Sequence, residues 1–117
     1  MEPVWIRAGL SHEFNEDVLV LWRRIDTYPG YKVRVEAAMR TISTRGIPSD
    51  SVHLQIQYHD ATVDVHIEED GGGDVMMTVA MGSKTRIADL MGANLVWLDN
   101  DEPVGDLVME AMHYWTD

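Results

Sequence analysis

Apolar and polar residues alternate strictly in the middle of the chain, over residues 52–58 and again over 63–67. A period of two is typical of strands that bury one face. A turn at Asp60 and Ala61 would bring apolar residues opposite each other in a β-hairpin. The predicted pairs are Tyr58 with Val63, Ile56 with Val65 and Leu54 with Ile67. The segment 74–82 continues the alternation and predicts a third strand, whose other face is less polar than that of the hairpin and is expected to be covered.

A helical period appears in three other segments, because apolar residues recur three or four positions apart over 14–25, 31–42 and 104–115. The first of these segments is acidic at its start and ends with Arg23 and Arg24, as the helix dipole favours. The second ends before Gly46, which is a common residue after a helix. Its first turn also alternates apolar and polar residues, so a short strand leading into a helix from Ala37 is an alternative.

Three shorter segments complete the prediction of the fold. Residues 4–8 are rich in strand-forming types, 85–91 are interpreted as a short helix, and 94–98 are apolar on both faces. The sequence therefore predicts one α+β domain spanning residues 1–117. Its antiparallel sheet would be a meander of about three strands plus one or two further strands, with helices packed on one face.

Composition excludes several classes of site and of protein. The 117 residues include no cysteine, which excludes disulfides, thiolate zinc sites and cysteine nucleophiles. The N-terminus has no basic segment followed by an apolar core, and no apolar run is long enough to span a membrane. We therefore expect a soluble cytoplasmic protein that does not bind membranes.

Charge is distributed unevenly along the chain, whose net formal charge is −11. Residues 1–59 hold seven acids and seven bases, whereas residues 60–117 hold thirteen acids and only Lys84 and Arg86 as bases. Such a field repels nucleic acid and anionic lipid and attracts basic surfaces. The alternative is that the acidic residues only keep the protein soluble.

The residues predicted to bind a partner are therefore acidic residues of the second half, together with a tryptophan from the strand that is apolar on both faces. They are Glu68, Glu69, Asp70, Asp74, Trp97, Asp99, Asp101, Glu102, Asp106 and Glu110. The expected function is that of a small non-enzymatic protein that neutralises a basic partner, such as a nuclease, a toxin or a nucleic-acid-binding complex. An immunity protein or a phage-borne inhibitor of a defence system would be of this kind.

Two other functions fit the sequence. The bases of residues 23–45 could meet the acidic half of a neighbouring copy and form a homo-oligomer. A metal-dependent enzyme is the other alternative, because the predicted hairpin places His53 opposite Glu68 with His66 diagonal to it, and two imidazoles with a carboxylate can bind zinc or iron. The polar side of an ordinary hairpin explains the same residues, so no metal or cofactor is predicted.

The segment Gly82, Ser83, Lys84 and Thr85 separates a predicted strand from a predicted helix, where backbone N–H groups and a lysine can bind phosphate. It lacks the spacing of a Walker A motif, since a serine stands between the glycine and the lysine. Capping of the helix that follows is the preferred interpretation of these residues.

Overall fold

The computed structural model describes residues 12–26, 29–42, 44–69, 74–91 and 94–114, which form a mostly β structure with a helix at each end. In chain order the elements are α1 (His12–Asp26), β1 (Lys32–Ile42), β2 (Pro48–Tyr58), β3 (Ala61–Glu69), β4 (Val75–Met81), β5 (Lys84–Met91), β6 (Asn94–Trp97) and α2 (Leu107–Tyr114). The predicted strand at 4–8 lies outside the described residues.

The six strands form one antiparallel sheet in which each strand pairs with its neighbours in sequence. The predicted antiparallel meander is confirmed, but it contains more strands than expected. Because the strands lie in chain order, distance along the sequence becomes distance across the sheet. The uneven charge along the chain is therefore also an uneven charge between the two edges of the sheet.

The helix predicted over 31–42 is wrong, because most of this segment is the strand β1. Val33 and Val35 pair with Ile56 and Leu54, and the register then shifts between Val35 and Ala37. The extra residue at this bulge, Glu36, places Val35 and Ala38 on the same side of the strand although they are three positions apart. A spacing of three is also the spacing of a helix, which explains the error.

The short helix predicted over 85–91 is also wrong, because these residues belong to β5. Arg86 and Ala88 are buried and alternate with the exposed Thr85 and Ile87. An arginine at a buried position hid the period of two. The residues Gly82 and Ser83 form the turn before β5, and Gly82 has φ of 62°. No helix follows this turn, so the capping interpretation is wrong too.

The hairpin of β2 and β3 is present, but its register differs by two residues from the prediction. Its turn is His59 and Asp60, and His59 has a positive φ of 54°. Two-residue hairpin turns require positive φ, which a histidine adopts more readily than a β-branched residue. The observed pairs are Tyr58 with Ala61, Ile56 with Val63, Leu54 with Val65 and Val52 with Ile67. A shift by two keeps the same residues on the buried side.

One hydrophobic cluster joins the buried side of the sheet to side chains of both helices. The stripe predicted for the first helix is confirmed in Phe14, Val18, Leu21 and Ile25, which are all buried. At the other end, Leu107 and Val108 of α2 are buried, each contributing roughly 1.5–3 kcal/mol. The later members of that stripe, at positions 111, 112 and 115, lie outside the described side chains.

Candidate binding surface

Asp99, one of the predicted partner contacts, is bound within the molecule to Arg86. The Arg86 guanidinium donates from Nε to Oδ2 at 2.7 Å and from Nη2 to Oδ1 at 2.8 Å. This two-point hydrogen bond lowers the pKa of Asp99 below its ordinary value. The same guanidinium lies over the ring of Trp97, 4.2 Å from its centroid. Asp99 therefore compensates the charge of a buried arginine.

Trp97 is a core residue and not an exposed aromatic, which corrects the prediction of an interface tryptophan there. Its side chain is 2% exposed. The indole Nε1 donates a hydrogen bond to Oε2 of Glu110 at 3.0 Å, and the other carboxylate oxygen of Glu110 accepts from the backbone of Gly105 at 3.2 Å. A buried indole needs an acceptor, and Glu110 supplies it.

Asp106 fixes the beginning of α2. Its Oδ1 accepts hydrogen bonds from the backbone nitrogens of Val108 and Met109, both at 3.1 Å, which is the geometry of an N-cap. The same oxygen accepts from the hydroxyl of Tyr31 at 2.6 Å. Tyr31 precedes β1, so this carboxylate connects the beginning of β1 to the beginning of α2.

The segment 98–104 covers the outer edge of β6. The backbone nitrogen of Trp97 donates to the carbonyl of Glu102 at 2.9 Å, and that of Val104 donates to Leu95 at 2.8 Å. Between these two hydrogen bonds, Pro103 lies opposite Val96 in an antiparallel bridge. A proline has no backbone N–H that could donate to a further strand. The edge is therefore closed to a further strand.

The other predicted contact residues differ in exposure. Glu68, Asp74, Asp101 and Glu102 are exposed, whereas Glu69 is half-buried and its carbonyl accepts a hydrogen bond from the hydroxyl of Ser49 at 2.6 Å. Asp70 lies outside the described residues. The structure thus separates exposed acids from those that hold the C-terminal segment in place.

Sequence reasoning missed a set of apolar side chains on the less buried side of β4, β5 and β6. We call this set the outer-face patch, and it consists of Met76, Ala80, Ile87, Val96 and Leu98. Ile87 is 42% exposed and Leu98, in the turn after β6, is 49% exposed. A shallow groove runs between these two side chains. The low polarity of the outer side of β4 gave one signal for this surface, but the false helix concealed Ile87.

Carboxylates lie directly beside the outer-face patch. Met76 pairs across the sheet with Glu68 on one side and with Asp89 on the other, and Asp89 pairs in turn with Val96. Residues directly opposite each other in an antiparallel sheet share a face and lie about 4.5–5.5 Å apart. The patch therefore combines apolar surface with negative charge.

The histidines of the hairpin do not form the predicted group with Glu68. His53 lies opposite His66, with ring centroids 6.3 Å apart, and its Nε2 is 3.3 Å from Oδ1 of Asp64. Glu68 lies opposite Ser51, because the register differs by two residues from the predicted one. Within the described ranges, no three histidine or acidic side chains converge on a point that could hold a metal ion.

No helix in the described part of the chain is long and apolar enough to cross a membrane. The chain matches no known protein family, no curated protein and no solved structure.

Proposed function

We propose that this protein is a non-enzymatic binding protein that attaches to a basic surface of another protein through the outer-face patch. The observation that supports the proposal is the exposure of Ile87 and Leu98 on a part of the sheet whose neighbouring charges, Glu68 and Asp89, are negative. Exposed apolar side chains with a charged rim are typical of protein interaction sites. We infer that both helices lie over the opposite face and leave this one open.

The charge of this side of the sheet favours a basic partner. Of the two bases in residues 60–117, Arg86 is bound to Asp99, and Lys84 lies exposed at the first position of β5. The exposed acids Asp74 and Asp101 extend the negative field beyond the patch and would steer a basic protein toward it. A nuclease, a toxin or a nucleic-acid-binding protein has such a surface, and covering it would inhibit that partner.

The test compares two isoleucine substitutions on strands that lie far apart in the sheet, Ile87 in β5 and Ile42 in β1. Ile87→Lys places a positive charge in the proposed contact, and Ile42→Lys places the same charge on β1, where Ile42 is 72% exposed. In affinity capture from native lysate, followed by titration of the captured protein, Ile87→Lys should weaken binding at least about tenfold, while Ile42→Lys should bind like the unchanged chain.

Two further measurements separate this proposal from non-specific attraction. Asp89→Lys should reduce the association rate, and added salt should reduce the association rate of the unchanged chain, because steering is screened. Equal binding by the Ile87→Lys and Ile42→Lys variants, or a captured protein without a basic surface, would contradict the proposed site.

A further inference from the structure

We propose that the outer edge of β1 accepts an extended acidic segment of another protein as a seventh strand of the sheet. This site lies at the opposite edge from the outer-face patch and does not depend on the function proposed for that patch. β1 is eleven residues long, and within the part of the chain that the structure describes it pairs with β2 alone. Alternate N–H and C=O groups along its other edge are directed away from the sheet, which is the arrangement that added strands use.

The charge of β1 and the turn after it indicates an acidic partner. Residues 32–47 carry four bases and one acid, although the whole chain has a net charge of −11. One of these bases, Arg40, is bound to the buried Asp50 of β2, with Nε 3.4 Å from Oδ1, so an acidic partner would meet the others. Lys32 and Arg34 are exposed, and their pairing with Gln57 and Gln55 places them on the outer face of the sheet. Glu36 pairs with Arg34 through an exposed ion pair, which contributes little energy.

The opposite side of β1 is apolar, since Val33 and Val35 pack against the core while remaining half-buried. A strand added beside β1 would place alternate side chains next to these valines and the intervening ones next to Lys32 and Arg34. The segment that fits this edge therefore alternates acidic and small apolar residues.

A second copy of this chain fits the edge less well. Two β1 strands related by a two-fold axis would place two segments of net positive charge side by side, and like charges across a sheet are unfavourable. Basic residues and a bulge on an edge strand are also a common protection against unwanted pairing. The experiment must therefore distinguish three cases: the edge binds an acidic strand, it binds a second copy of the chain, or its bases only prevent other strands from pairing with it.

The probe is a fluorescent synthetic peptide of about eight residues that alternates glutamate and valine, titrated with the full chain while anisotropy is measured. Its first control replaces every glutamate by lysine and should bind at least about tenfold more weakly. Two further peptides carry N-methyl groups on one or the other set of alternate amides. A β-ladder uses only one set, so only one of these peptides should lose binding.

Substitutions in the protein show which part of its surface binds the peptide. Lys32→Glu should weaken binding of the glutamate–valine peptide several-fold, whereas Lys84→Glu, an equal charge change at the exposed first position of β5, should not. Failure of the peptide to bind, or equal losses of affinity in both variants, would overturn the proposal. The role of the bases would then be to prevent other strands from pairing with this edge. A salt-resistant dimer of the chain that becomes tighter in Lys32→Glu, as expected where the bases of two copies face each other, would assign the edge to a second copy.

Discussion

The two edges of this sheet differ in length, charge and covering. β6 has four residues, and the segment 98–104 is hydrogen-bonded along its outer side. β1 has eleven residues, carries exposed bases and pairs with β2 alone among the strands described. The acidic edge is therefore closed by the chain itself, while the basic edge is left open by the strands that the structure describes.

This difference changes the meaning of the charge distribution. Asp99, Asp106 and Glu110 belong to the acidic half of the sequence, but each makes hydrogen bonds that hold the C-terminal segment. The negative charge proposed to attract a partner comes instead from residues such as Glu68 and Asp89 beside the outer-face patch. A count of acids along a sequence cannot separate these two roles, because the separation depends on what each carboxylate contacts.

The closed edge also bears on head-to-tail assembly. A copy that added its β1 to the β6 edge of its neighbour would have to displace Pro103 and the backbone bonds on either side of it. The bases near β1 and the acids of the second half of the chain are still complementary in charge. Charge attraction between copies therefore still favours the alternative of a homo-oligomer. Assembly by continuation of the sheet, however, requires the segment 98–104 to leave its place.

The largest expected difference between the edges is in how much a substitution lowers the free energy of unfolding. Trp97→Ala should lower the free energy of unfolding by about 3–5 kcal/mol, because it removes a buried indole together with its contacts to Arg86 and Glu110. Met39→Ala, at a half-exposed side chain of β1, should change it by no more than about 0.5 kcal/mol. Urea unfolding followed by circular dichroism measures both, and similar losses would show that the β1 edge is as well packed as the β6 edge.

The sequence was informative wherever a period was uninterrupted. The stripe from Phe14 to Ile25 predicted α1, and strict alternation predicted β2, β3 and β4. Which side of these strands is buried was also predicted correctly, because a register error of two residues does not exchange the faces.

Prediction failed where one residue disturbed the period. Glu36 at the bulge of β1 and Arg86 on the buried side of β5 each hide a strand, so the residue pattern of both segments predicts a helix. The prediction of the candidate surface was affected in two ways. The false helix contained Ile87, and Trp97 was expected at an interface because its strand is apolar on both faces. The burial of Arg86 depends on Asp99, thirteen residues away, and such a pairing is not visible in a local pattern.

An intermediate effect is expected at Asp106, which connects the closed edge to the beginning of β1. Asp106→Ala should destabilise the protein by about 1–2 kcal/mol, because it removes the cap of α2 and the acceptor for Tyr31. Asp106→Asn is the matched control, since its amide oxygen can still accept the backbone hydrogen bonds, and its loss should be clearly smaller. Thermal unfolding of the two variants decides this, and equal losses would show that the charge and not the cap matters.

The smallest expected difference concerns two carboxylates, one at each edge, whose pKa values are lowered by hydrogen bonds from arginines. At the closed edge Arg86 is 6% exposed and binds both oxygens of Asp99, whereas at the open edge Arg34 is 74% exposed and reaches one oxygen of Glu36. A carboxylate with a lowered folded-state pKa stabilises the fold above its unfolded-state pKa, near 4, and that stability is lost as the pH falls through the folded-state value.

Urea unfolding at a series of pH values below about 5 should therefore show a weaker acid dependence for Asp99→Asn than for the unchanged chain. Glu36→Gln should change the acid dependence in the same direction but less, because solvent screens the Arg34 ion pair more than the Arg86 pair. At neutral pH, Asp99→Asn should also be the less stable of the two variants, since it leaves the buried Arg86 without its counter-charge. A larger effect at Glu36 would reverse the ranking of the two edges and place the stronger electrostatic contribution on the open one.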